Sequence, residues 1–323
     1  MHEPLYRQAL DKSWHLLWEH KKIWIFGLFA TFLGQLGLAD LFAKVSLVAS
    51  NAPVVSWWLT LPKVLLVGTP VAGGLVLSLE SVIWLISLIL LLLGLGLLGI
   101  FLAVVSHGAL IRISADYAKH KNLPSLSRAW QSGVEYFWPL FFLQVIKKIV
   151  LCLLACAVGY ATLNVLLGLS VWSLILFLLV FILAAVVGMV VSFLTVYAAG
   201  YLVVENYPWR RAVAGAWKLF LGHWLVSVEV GLVVLILNLV AALIALASFL
   251  VFFLPTLISW LIAVLTLNSA LWWAGLIVGI FFSVLFMMFL GTLLTIYTTA
   301  VWTYLFMKMH REGVVSRVLH WLK

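Results

Sequence analysis

Ionisable side chains set inside apolar runs are what this chain offers for chemistry. Glu229, Lys147 and Lys148 are the foremost of them. Charged groups are expensive in lipid, so those that occur mark ion paths, proton relays or pairs that fix packing. Glu229 lies 19 residues after Arg210, and Lys147 and Lys148 lie 20 and 21 residues after Ser127. A repeat described below aligns Arg210 with Ser127 and so puts the three charges at similar depth. Glu229 is therefore expected to pair with Lys147 or Lys148 between two units. Such a pair would either lock the units together or form a proton- or headgroup-coupled site. The shallow depth favours the packing reading.

Other reactive types are present without a pattern that demands catalysis. None of the histidines, His2, His15, His20, His107, His120, His223, His310 and His320, forms an H-x3-H or H-E-x2-H zinc spacing. Cys152 and Cys156 are four apart on one helix face. Two thiols are too few for a metal site, so they are expected to be buried small residues that help helices pack. No phosphate-binding loop, nucleophile elbow or dinucleotide fingerprint occurs. The sequence thus names no catalytic residue, no metal ligand and no cofactor. A lipid-modifying enzyme would need His107, His223 and Glu205 to converge at headgroup level, and no spacing requires that.

The elements that would position these residues follow from composition. The chain is 66% hydrophobic and 9% charged over 323 residues. Soluble domains run at about 45–50% apolar and about 25% charged. The apolar runs are unbroken, which excludes both disorder and a barrel of alternating strands. A spanning helix needs about 20 apolar residues. Six segments qualify: 23–39, 82–105, 149–169, 171–204, 225–254 and 271–307. Pro255 is expected to stop the fifth. The last three exceed one crossing and must tilt, kink or project. No small-residue cleavage site follows the first run, so it is expected to persist as a helix. Asn164 and Asn238 are lone amides within spans, expected to hydrogen-bond between helices.

The stretch 64–79 is apolar but carries Gly68, Pro70, Gly73 and Gly74. Charge decides its reading. With six spans and the N-terminus inside, the inner segments hold Arg7, Lys12, Lys21, Lys22, Arg112, Lys119, Lys121, Arg128, Arg210, Arg211, Lys218, Lys308, Arg311, Arg317 and Lys323. Only Lys44 and Lys63 fall outside, and Lys147 and Lys148 sit at an inner boundary. A seventh crossing would destroy this asymmetry, so 64–79 is read as re-entrant or surface-lying. Tryptophan favours headgroup level and falls into two belts consistent with six spans. Trp302 fits neither belt clearly.

Arg7-x-Ala9, Ser13-Trp14-His15-Leu16-Leu17 and Arg210-Arg211-Ala212, Ala216-Trp217-Lys218-Leu219-Phe220 share the pattern R-x-A-x3-[SA]-W-[HK]-L-[LF]. Ser127-Arg128-Ala129 with Gly133 is a looser copy. Each copy is amphipathic at helical period and precedes a span. The chain then parses as one transmembrane domain of three parallel hairpin units, about 5–105, 126–204 and 208–307, with a basic tail at 308–323. An interfacial helix precedes each hairpin, anchored by Trp14, Trp18, Trp130, Trp209, Trp217 and Trp224. Gly275 and Gly279 form a small-x3-small pair that suits helix packing.

This pattern resembles bacterial six-helix integral membrane proteins of uncharacterised function, including the membrane domain attached to glycerophosphodiester phosphodiesterases. The resemblance covers most of the chain. The catalytic barrel of those enzymes is absent, so the resemblance implies only an inner-membrane helical bundle associated with lipid.

The expected protein is all-α and polytopic, with six transmembrane helices and both termini cytoplasmic at the inner (plasma) membrane. The net charge is +9 with pI about 9.6. These bases lie in short segments beside spans, which suits anionic lipid headgroups rather than nucleic acid. The favoured function is a non-enzymatic, lipid-associated or partner-binding membrane component, with a protein partner or self-association as further possibilities. A transporter or channel for a small solute or lipid is the alternative, and a lipid-modifying enzyme the third. A polar cavity deep among the helices would favour transport.

Overall fold

The computed structural model describes residues 5–34, 79–120, 125–168, 170–267 and 269–312. Every regular element among them is a helix. A short helix α1 (Leu5–Glu19) and a single 3₁₀ turn (Lys21–Ile23) lead into α2 (Trp24–Gly34). Then come α3 (Leu79–His120), α4 (Leu126–Glu135), α5 (Phe137–Leu167) and α6 (Val171–Val203). Helices α7 (Trp209–Gly222), α8 (Trp224–Thr266) and α9 (Ser269–Glu312) complete the chain's described part. Five helices, α3, α5, α6, α8 and α9, are long and apolar enough to cross a membrane. The protein is therefore a multi-pass, membrane-embedded helical protein. The first expected span coincides with α2 through Gly34, and its remainder lies outside the described residues, as does the stretch 64–78.

Local chemistry sets the breaks. The Ser125 hydroxyl accepts from the Arg128 N–H at 3.4 Å to start α4, and that of Ser170 accepts from the Trp172 N–H at 3.3 Å to start α6. Pro208 precedes α7, where its missing N–H costs nothing. Pro255 does not end α8, contrary to the sequence expectation; the helix runs on to Thr266. The continuation is held by its neighbour. Just past the proline, the Thr256 hydroxyl donates to the Gly275 carbonyl at 2.8 Å, and that of Ser259 to the Leu271 carbonyl at 2.6 Å. Packed partners let proline stand within a membrane helix.

Helices α2 and α3, α5 and α6, and α8 and α9 pack pairwise. Each short helix packs on a long helix: α4 on α3, α7 on α6, and α1 on α9. The repeated motif explains how they approach so closely. Its small positions, Ala9 and Ser13, Ala129 and Gly133, and Ala212 and Ala216, are buried, as are the leucines Leu16, Leu17 and Leu219. A methyl at Gly133 would run into the Val105 carbonyl oxygen of α3, and one at Gly108 of α3 would lie 3.2 Å from the Gly133 Cα. The tryptophans Trp14, Trp18, Trp209, Trp217 and Trp224 are exposed, although Trp14 meets Tyr297 of α9 edge-on, while Trp130 is half-buried and stacks on Phe26 at 6.3 Å.

Burial concentrates at the end of the bundle that carries these short helices. Tyr197, Leu202, Leu305 and Phe306 are buried in one cluster there, and Leu16, Leu110 and Ile296 in a second. At the opposite end Leu167, Trp172 and Leu267 are almost wholly exposed. Leucine and isoleucine lose nothing by facing acyl chains, so this half needs no protein partner in a bilayer.

Gly133→Val is expected to destabilise the detergent-solubilised protein, because the clash is with backbone and cannot be relieved by a rotamer change. Overpacking of this kind costs about 1–3 kcal/mol. A thermal unfolding midpoint equal to that of the parent chain would show that the α3–α4 contact is not tight.

Candidate functional site

Five helices converge on a cavity of about 370 Å³. His107 and Ile111 come from α3, Lys147 from α5, Val196, Ala199 and Gly200 from α6, Val234 and Asn238 from α8, and Thr298, Thr299, Trp302, Thr303 and Phe306 from α9. At 1.5 Å per residue, His107, Lys147, Asn238 and Thr299 lie about 15–20 Å along their helices from the short-helix end. They therefore meet at one level well inside the bundle.

The floor, on the short-helix side, is tightly closed. Ile111, Gly200, Thr303 and Phe306 are buried. Glycine at position 200 is what lets the Phe306 ring lie on the α6 backbone, since a Cβ there would meet that ring at 2.8 Å. Below the floor, the Arg112 guanidinium donates to the Val203 carbonyl at 3.2 Å and sits 3.4 Å from the Asp116 carboxylate. This places a cation on the carbonyl end of α6, where the helix dipole favours it. The Tyr201 hydroxyl lies 3.2 Å from His310 Nδ1, and the Tyr197 and Ser227 hydroxyls lie 2.7 Å apart, tying α6 to α9 and to α8.

The polar lining holds donors beside the acceptor oxygens of Asn238, Thr298, Thr299 and Thr303. The Lys147 ammonium offers three N–H groups and Trp302 one indole N–H, and the His107 imidazole offers at least one. No carboxylate is present among the described residues that line the cavity. Thr298 and Thr303 spend their hydroxyl protons on the carbonyls of Leu294 and Thr299. The Asn238 amide N–H donates to the Val234 carbonyl at 2.8 Å. Lys147, His107 and Trp302 thus line one cavity with no carboxylate among its described lining residues.

The residues singled out by sequence fall in different places. Lys147 lines the cavity; Lys148 is half-buried beside it on α5. Glu229 is half-buried on α8 and is not among the cavity-lining residues. Only His107 of the three residues needed for lipid chemistry reaches the cavity. Glu205 follows α6, and His223 stands between α7 and α8 with Nδ1 3.3 Å from the Leu219 carbonyl. Asn164 and Asn238 bond within their own helices, to Tyr160 and Val234, rather than between helices. Cys152 and Cys156 are exposed rather than buried. Gly275 and Gly279 of α9 face Ser259 and Thr256 of α8. Among the described residues, no three His, Cys, Asp or Glu side chains come together as metal ligands would. Sequence reasoning missed Trp302 and the threonines of α9, although the misfit of Trp302 with either belt was a signal.

On α1, outside the spans, the His15 ring nitrogen Nδ1 lies 3.0 Å from the Asp11 carbonyl oxygen and 3.6 Å from its carboxylate. The carbonyl first, then the carboxylate, raise the His15 pKa above the usual imidazole value. The contact therefore stabilises α1 at acid pH and is lost as pH rises through the raised value. Asp11→Asn, which keeps the carbonyl, should move the His15 titration part of the way back down, as followed by imidazole NMR. An unmoved titration would remove the carboxylate from the account.

Comparison of the chain with protein-family models, curated proteins and solved structures finds no match in any of the three.

Proposed function

We propose that this chain is a non-enzymatic, six-span protein of the cell's inner (plasma) membrane that binds an anionic solute or lipid in its intramembrane cavity. The single observation that carries the reading is a cavity lined by Lys147 and His107 with no lining carboxylate among the described residues. An ammonium away from bulk water is costly unless an anion meets it. The basic residues of the inner segments support cytoplasmic termini by the positive-inside rule. They put the short helices, with their exposed tryptophans, at the inner leaflet among anionic headgroups. The three-unit parsing and the likeness to bacterial six-helix membrane proteins belong to the same reading.

The deep cavity supports ligand handling, on the transport side of the alternatives, over a purely partner-binding scaffold. Native mass spectrometry of the full chain, released gently from its own membrane, tests this. The parent chain should carry a stoichiometric anionic adduct, and Lys147→Gln should carry about tenfold less. A parent chain bearing only a protein partner would return the scaffold reading to first place.

The proposed inter-unit pair joins Glu229 to Lys147 or Lys148. Double-mutant cycles on Glu229→Gln with Lys147→Gln and with Lys148→Gln should give, for the partner, a coupling of about 0.5–3 kcal/mol in unfolding free energy. Additive single effects would dissolve the pair.

A further inference from the structure

The way into the cavity says which kind of anion it takes. Its floor is sealed towards the short-helix end by buried Ile111, Gly200 and Phe306, with the Arg112–Val203 bond beneath. Its open side is marked by Asn238, which is exposed, and by Lys147, which is half-buried. These two come from α8 and α5, which pack on α9 and α6 respectively, so the mouth lies between two hairpins on the flank of the bundle. Helix neighbours three and four residues apart share a face. Around Asn238 those neighbours include exposed Leu235 and Ala242, and beyond Lys147 there is half-buried Val150. All three are apolar, and the polar neighbour of Lys147, Gln144, lies on its floor side. Polar lining inside and apolar rim outside is the profile of an amphiphile, not of a hydrated ion.

We propose that a bilayer lipid with an anionic phosphate headgroup enters sideways between the α5–α6 and α8–α9 hairpins. Its phosphate sits on Lys147, with His107 and Trp302 as further donors, and its acyl chains stay against the apolar rim. This rests on the reading above that the cavity binds an anionic group, and it names the source. Charge complementarity selects the occupant: a phosphodiester brings the negative charge that the lining lacks, and its tails match the mouth. A free phosphate shares the headgroup chemistry, but it would have to shed its water and cross the apolar rim.

The test uses the full chain in nanodiscs of phosphatidylcholine containing a minor fraction of phosphatidylglycerol, with lipid retention read by native mass spectrometry. The parent chain should retain one phosphatidylglycerol. Lys147→Gln should retain about tenfold less, the loss expected for one charged hydrogen bond. Asn238→Phe plugs the mouth at an exposed position and changes no charge. It should lose the lipid too, whereas general attraction of headgroups to the basic surface would leave its lipid count unaltered. Inorganic phosphate at millimolar concentration should not displace the lipid. Unchanged retention by both variants, each with a parental unfolding midpoint, overturns the proposal. Binding of inorganic phosphate that depends on Lys147, with no retained lipid, overturns the lipid source and leaves the anion-binding cavity standing. Failure of the parent chain to hold either probe overturns both.

Discussion

Close approach of backbones at small residues is the contact on which this structure depends. Inside a bilayer, burying leucine against leucine gains little over leaving it against lipid. Association must come from dense van der Waals contact, and that needs side chains short enough to let helices touch. Ala9 and Ser13, Ala129 and Gly133, and Ala212 and Ala216 supply this at the three short helices. Gly27 beneath the Ile296 side chain and Gly200 beneath the Phe306 ring let α9 lie close on α2 and on α6. Small residues alone do not bring packing. Along α3, residues 91–99 are all exposed, and a methyl at Gly94, Gly96 or Gly99 would meet no described residue within 4 Å.

The cavity sits at the edge of this packed region. The core beneath it gives the polar side chains a rigid floor, and the loosening above it gives them an opening. Lys147 and Asn238 would be strained guests in a uniformly packed bundle. A bundle splayed along its whole length would leave them scattered in lipid. Their placement at the boundary reconciles a polar site with a chain that is only 9% charged.

Much of the fold was legible, because an apolar run of sufficient length has few fates other than a spanning helix. The motif R-x-A-x3-[SA] was visible too, yet its meaning was read from the tryptophans. The sequence reading gave weight to the large residues facing lipid, while the small ones between them carry the protein contacts. Pro255 was read as a stop because its effect on an isolated helix is clear, whereas its rescue by Thr256 and Ser259 depends on α9. The spacing of Cys152 and Cys156 fixes that they share a face but not which way that face points. The cavity was the least legible feature. Its polar residues come from α3, α5, α8 and α9, one or a few from each, and no local pattern joins His107 to Lys147, Asn238 and Trp302.

The order in which the short helices dock has a consequence for assembly. α4 packs on α3 and α7 on α6, each a helix already synthesised when its partner emerges. α1 packs instead on α9, the last helix of the bundle. The earliest element must therefore wait for the latest. Until α9 is inserted, the small face of α1 has no seat, and the wall of the cavity that α9 provides does not exist. Contacts this distant in sequence are the slow ones to form.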